Sequence, residues 1–177
     1  MTTDVRKILF IVIDQLRADC LHGALADAVD VPNFRALMAD GVTFKRHYTV
    51  TNPCGPARAS LFTGIYAMNH GSVRNGAPLD GTLDTLPKAL RSAGVEPLLF
   101  GYTDTSVDPR GRDPADPALR SYEGVMPGFT EFLVMQSETC HAWVADLLAK
   151  GYELPPDFWD IYRPQARPAA ITSPALY

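Results

Sequence analysis

The chain has 177 residues, 46% of them hydrophobic and 20% charged, which is the balance of a folded globular protein and excludes a disordered one. Lysine and arginine total 16 against 20 aspartate and glutamate, a net charge of -4 with a pI near 5.5. That excludes a general nucleic-acid binder, which carries a basic excess, but leaves room for a small-anion pocket built from a few arginines.

The elements read in chain order as follows. Lys7 to Ile13 is a continuous apolar run closed by Asp14 and Gln15, the pattern of a strand buried on both faces of a parallel sheet. Polar residues at the carboxyl end of such a strand lie where open α/β sheets bind ligands. Pro32 to Gly41 reads as a short helix stopped by glycine, and the alternating, β-rich Val42 to Val50 as a second strand. Thr51 to Pro56 is a turn, followed by a helix over Ala57 to Met68 with Pro56 suited to its first turn. Leu83 to Gly94 is a further helix ending in glycine, and Pro97 to Tyr102 a third strand. Strand, helix, strand, helix, strand is the signature of an α/β fold. Thr103 to Asp116 is a polar loop, Phe129 to Met135 a strand, and Ser137 to Lys150 a helix with Cys140, Trp143, Val144, Leu147 and Leu148 on one stripe. The proline-rich stretch beyond Gly151 has no clear period. No apolar run approaches the roughly 20 residues of a membrane span. The first residues lack the basic and apolar regions of a signal peptide, so a cytoplasmic location with no membrane partner is expected.

Three cysteines are too few and too scattered for a disulfide framework or a zinc cluster, but one sits in a motif. Cys54-Gly55-Pro56-Ala57-Arg58 follows Asn52-Pro53 and precedes Ala59-Ser60-Leu61-Phe62-Thr63-Gly64, with Asn69-His70-Gly71-Ser72-Val73-Arg74-Asn75 further on. A turn between prolines is a poor place for a core thiol. A nucleophile at a helix N-terminus sits in a positive field that suits an anionic substrate. Helix N-termini also lower thiol pKa values, so a reactive unmodified thiolate competes with any modified form. Cys20 and Cys140 have no motif and read as packing residues.

Cys-x-Pro-x-Arg is the pattern read by formylglycine-generating enzymes. Together with Asp14-Gln15, Thr63-Gly64 and His70-Gly71, this sequence resembles the sulfatase branch of the alkaline phosphatase superfamily. The resemblance implies an α/β, alkaline phosphatase-like sandwich with a central, mostly parallel sheet flanked by helices. It implies that Cys54 is oxidised to formylglycine, whose hydrated form attacks phosphorus or sulfur with one hydroxyl and expels the product anion through the other, splitting one hard step into two. Arg58 would stabilise the charged nucleophile and contact the transferred group. Asp14 and Gln15, with the modified Cys54, would be ligands of one divalent metal ion, for which hard oxygen donors suggest Mn²⁺, Ca²⁺ or Mg²⁺, with Zn²⁺ as a further candidate.

Two departures from sulfatases point to the phosphonate monoester hydrolases, which also act on phosphodiesters. Gln15 stands where sulfatases place a second aspartate, leaving the site one charge less negative. Gly101-Tyr102-Thr103-Asp104 stands where many sulfatases carry Gly-Lys-Trp-His. On this resemblance Asn75, Tyr102 and Asp104 would line the substrate pocket, although the related pattern tends to have threonine at position 104. Asn75-Gly76 is equally a turn dipeptide. His70 and Arg74 read as supporting or structural.

The family's second metal-ligand pair, and a pocket lysine and histidine, have no counterpart between Asp104 and Tyr177. The expectation is therefore that residues 1–177 form the N-terminal portion of one catalytic domain, with 152–177 a truncated loop or insertion. The implied partners are a small anionic ester, the formylglycine-generating enzyme and further copies in a dimer or tetramer. An arylsulfatase of the same fold, and a truncated non-catalytic binding or assembly protein, are the alternatives.

Overall fold

A computed structural model describes residues 7–121, 123–135 and 140–162. Its helices are α1 (Asp19–His22), α2 (Pro32–Asp40), α3 (Cys54–Thr63), α4 (Ala67–His70), α5 (Leu86–Ser92) and α6 (His141–Ala149), and its strands β1 (Leu98–Gly101) and β2 (Thr130–Val134). The strands pair in parallel, Leu98 opposite Thr130 and Gly101 opposite Val134, with a register irregularity between Leu99 and Phe100. Because they are parallel, their carboxyl ends point the same way, and the chain leaves β1 directly into Tyr102 to Asp104.

Local chemistry explains most helix limits. Proline opens α2 and stands in the first turn of α5, where its missing N–H costs nothing. Thr85 caps α5 by accepting a hydrogen bond from the Lys88 N–H. The helix expected over Ala57 to Met68 is two helices. Gly64 takes a left-handed φ of 73° and returns its N–H to the Ser60 carbonyl, which ends α3. Cys54 is itself the first residue of α3, three residues earlier than the sequence suggested.

The core joins α3 to the loops around it. Ala59, Phe62, Leu79 and Met126 are buried, with Leu83 and Phe129 packed against them. Phe62 meets Phe129 edge to face at 5.4 Å and Phe10 at 5.9 Å. Behind β1, the Thr103 hydroxyl accepts from the Met126 N–H at 2.7 Å and lies 2.9 Å from the Thr105 hydroxyl. Thr103, Asp104 and Thr105 are all buried. The loop that follows is anchored where Asp108 accepts from the Gly81 N–H at 2.9 Å and Arg110 bridges Asp80 and Asp108.

Two strand expectations are corrected. Neither Lys7–Ile13 nor Val42–Val50 forms a strand in the described residues. Ile8 is 84% exposed and Val42 82%; among the described residues neither run lies between the neighbouring strands that would bury both its faces. Helix α6 is shorter than expected at its start, where residues 137–139 lie outside the described set. It buries Val144, with Cys140 just before it, but leaves Leu148 exposed. The end of the proline-rich stretch, residues 163–177, also lies outside the described residues. No helix among the described residues is long and apolar enough to cross a membrane.

Phe62 is therefore the side chain whose loss the core should feel most. Phe62→Ala should lower the unfolding free energy by about 3 kcal/mol, whereas Leu61→Ala, on the exposed face of the same helix, should change it by less than about 1 kcal/mol. Urea denaturation of the two variants side by side is the check.

Candidate active site

Helix α3 begins immediately after a cis Asn52–Pro53 peptide, and the Ala57 N–H makes the first helical bond back to the Pro53 carbonyl at 3.0 Å. Cys54 is thus held at the N-terminus of a ten-residue helix, half-buried. Its thiol donates to Asp14 Oδ1 over 3.6 Å. Arg58, one turn on, reaches the other oxygen of the same carboxylate, with Nη2 at 3.3 Å from Asp14 Oδ2. Its Nη1 lies 3.9 Å from Asp104 Oδ2. The guanidinium also lies over the Tyr102 ring, 4.9 Å from its centroid.

Six of the seven residues expected at the site are thereby gathered: Asp14, Cys54, Arg58, Tyr102, Asp104 and, through the backbone, Asn75. The Gly55 N–H donates to Asn75 Oδ1 at 2.9 Å. That bond assigns the orientation of the Asn75 amide and leaves its N–H donors for an oxygen acceptor. Gln15 follows Asp14 in the chain, with an exposed side chain that makes no hydrogen bond among the described residues. Gln15 and Asp104 are the two non-glycine residues with positive φ among the described residues, 56° and 59°. Such backbone is costly for glutamine and tolerated by aspartate, and it clusters at functional sites.

Position 55 is a contribution the sequence reading passed over. A Cβ there would lie 2.6 Å from the Asp104 carbonyl oxygen and 3.2 Å from Asn75 Oδ1. The glycine lets the β1 exit loop and the Asn75 turn close on the first turn of α3 together.

The electrostatics are unexpected for a helix N-terminus. Burial, and then the neighbouring Asp14 and Asp104 carboxylates, push the Cys54 thiol above its ordinary value. That direction disfavours a thiolate at the unmodified residue, against the pull of the helix N-terminus. Burial likewise raises Asp104, opposed by Arg58. Arg58 Nη1 is buried with no hydrogen-bond partner. A buried guanidinium donor aimed into a site lined by polar groups is a ready contact for an anion oxygen.

Among the described residues no group of three or more His, Cys, Asp or Glu is gathered closely enough to hold a metal ion. The donors present nonetheless fit part of a shell. Asp14 Oδ1 and Cys54 Sγ are 3.6 Å apart, so an oxygen in place of the sulfur would stand beside a carboxylate, the donor type hard cations take.

This combination fits one class: an α/β fold of alkaline phosphatase type, with Cys54 at a helix N-terminus beside the carboxyl end of a parallel strand. The sulfatase family model matches residues 6–150. The chain belongs to the sulfatase family, whose members imply a metal ion and a formylglycine. It is similar to the phosphonate monoester hydrolase SpPMH from Silicibacter pomeroyi, at 56% identity and a TM-score of 0.78 over 92% of this chain and 32% of that one. The phosphonate monoester hydrolase of Agrobacterium radiobacter is 50% identical, with a TM-score of 0.69 over 78% of this chain and 27% of that one. The multifunctional alkaline phosphatase superfamily protein PehA of Trinickia caryophylli is 40% identical over 96% of this chain and 34% of its own length. The chain thus spans about a third of the length of the relatives it matches.

The thiol environment gives a direct test. In metal-free, unmodified chain, Cys54 should react with iodoacetamide more slowly at pH 7 than free cysteine does, and the rate should climb only in alkaline buffer. Asp14→Asn removes a negative neighbour, so it should lower the thiol pKa and speed the reaction at neutral pH. Mass-spectrometric alkylation rates across pH decide this.

Proposed function

We propose that the full-length protein carrying this chain hydrolyses phosphonate monoesters and phosphodiesters, with formylglycine at position 54 as nucleophile and a divalent metal ion as cofactor. The observation that carries the reading is the placement of Cys54 at the start of α3, between Asp14 and Arg58. The 50–56% identity to two phosphonate monoester hydrolases supports the substrate class. So does the neutral Gln15 in place of a carboxylate, which leaves less repulsion for an anion.

The roles we assign are these. Modified Cys54 would supply a hydroxyl to attack phosphorus and a second one whose deprotonation would free the product. Arg58 Nη1 meets a non-bridging oxygen of the transferred group, and the Asp14 carboxylate holds the same guanidinium in place. Tyr102 fixes the guanidinium plane from its ring face. Asn75 offers amide N–H donors from the far side of the helix N-terminus. Asp14, Gln15 and the modified Cys54 would hold the metal ion, which supplies Lewis-acid polarisation of the P–O bonds and a lower pKa for the attacking hydroxyl. With oxygen donors only, Mn²⁺, Ca²⁺ and Mg²⁺ suit the site best.

Co-expression with a formylglycine-generating enzyme should lower the intact mass by about 18 Da, the chemical difference between cysteine and formylglycine. Cys54→Ala should then abolish turnover of an aryl phosphonate monoester; near-normal rates would remove Cys54 from the mechanism. Gln15→Asp should shift the metal preference or raise the ratio of sulfate-ester to phosphonate-ester hydrolysis. An unchanged profile would show that Gln15 is no ligand. Rates on a matched aryl sulfate, measured in parallel, separate this activity from that of an arylsulfatase.

A further inference from the structure

The segment from residue 70 to 77 grips α3 twice. At the first turn, Asn75 Oδ1 accepts from the Gly55 N–H at 2.9 Å. At the second turn, His70 Nε2 lies 2.9 Å from Ser60 Oγ, and both residues are buried, 5% and 6% exposed. The imidazole is oriented from its other side. The Ser72 N–H donates to His70 Nδ1 at 3.1 Å, so Nδ1 carries no proton. The neutral ring therefore holds its proton on Nε2 and donates it to Ser60. Burial lowers the His70 pKa, in keeping with a neutral ring. The grip is itself anchored, since Ser72, 1% exposed, donates its hydroxyl to the Ala77 carbonyl at 3.2 Å.

We infer that His70 is a positioning residue, acting through Ser60 to fix the rotation of the helix that carries Cys54 and Arg58. The inference rests on the reaction proposed above. Ser60 and Arg58 are two residues apart, about 200° around the helix, so the lock holds α3 from the side opposite the guanidinium. The two fixed points, Gly55 and Ser60, lie about 140° apart around the helix, and together they resist a rotation that either alone would allow. With side-chain atoms about 6 Å from the axis, a rotation of about 10° moves them by about 1 Å. A displacement of that size at reacting groups costs on the order of a hundredfold in rate.

Two amide variants separate this role from a local one. Glutamine places its terminal N–H near the position of Nε2 and keeps the bond to Ser60. Asparagine places its carbonyl near Nδ1 and keeps only the bond to the Ser72 N–H. In the full-length, formylglycine-bearing protein, H70N and S60A should each lower kcat for an aryl phosphonate monoester by about 10- to 100-fold, with KM within about twofold. H70Q should stay within about threefold of the parent rate, and the H70N/S60A double variant should be no slower than the slower single one. Parent-like kcat in H70N, or equal losses in H70N and H70Q when both fold, overturns the inference. A second measurement serves should any variant fail to fold. Long-range ¹H–¹⁵N spectra of the parent imidazole should show Nε2 protonated and Nδ1 bare at neutral pH, and the opposite tautomer overturns the lock. If the parent turns over no phosphonate monoester or phosphodiester, the proposed reaction falls. The lock is then judged on those spectra, where S60A should shift the Nε2–H resonance; an unmoved resonance rejects it.

Discussion

The site depends on one close approach, that of the Asp104 carbonyl to the backbone of Gly55. A single carbon added at Gly55 would meet that oxygen at 2.6 Å. This contact lets the loop leaving β1 touch the first turn of α3, and so brings Tyr102 and Asp104 to Arg58. The same glycine donates its N–H to Asn75, which draws in a third segment. Three stretches far apart in sequence therefore meet around a residue with no side chain. Asp104 holds a left-handed backbone at this point, the conformation that turns its carbonyl toward the helix and its carboxylate toward the guanidinium.

The charges at this junction set what it can do. A helix N-terminus alone would favour a thiolate at Cys54, yet burial and then two carboxylates push the thiol the other way. A thiol so protected is a poor nucleophile in its own right. What the junction offers is a carboxylate and a sulfur 3.6 Å apart beside a buried guanidinium. Arg58 is then the positive group left to face an anion, and it is buried enough for its unpaired donor to count.

Cys54, Arg58 and Asp14, which closes the first apolar run, were legible because each lies in a contiguous motif. Tyr102 and Asp104 were legible as the polar end of a strand. The meaning of Gly55 was not, since its constraint comes from a residue 49 positions away in the chain. The Ser60–His70 pair was hidden for a similar reason: a serine inside a helix and a histidine before glycine carry no periodic signal, and only packing shows that they share one proton. The break of the long helix at Gly64 was readable in principle, because a glycine two residues before Tyr66 is a stop as much as an interior residue.

The two failed strands teach a different lesson. Apolar runs declare what a segment needs, whereas a ladder declares what its neighbours provide. Lys7 to Ile13 has the composition of a central strand, but no described segment pairs with it, and most of its side chains stay exposed. Its function in the site survives even so. Phe10 packs against the core residue Phe62 of α3. The carboxyl end of the run then falls beside the helix N-terminus, where Asp14 meets both Cys54 and Arg58. The rule that ligands gather at the carboxyl ends of α/β strands is usually argued from the ladder. Here the same placement stands without a ladder among the described residues: Asp14 meets Cys54 and Arg58 on α3, and Phe10 packs on Phe62 of the same helix.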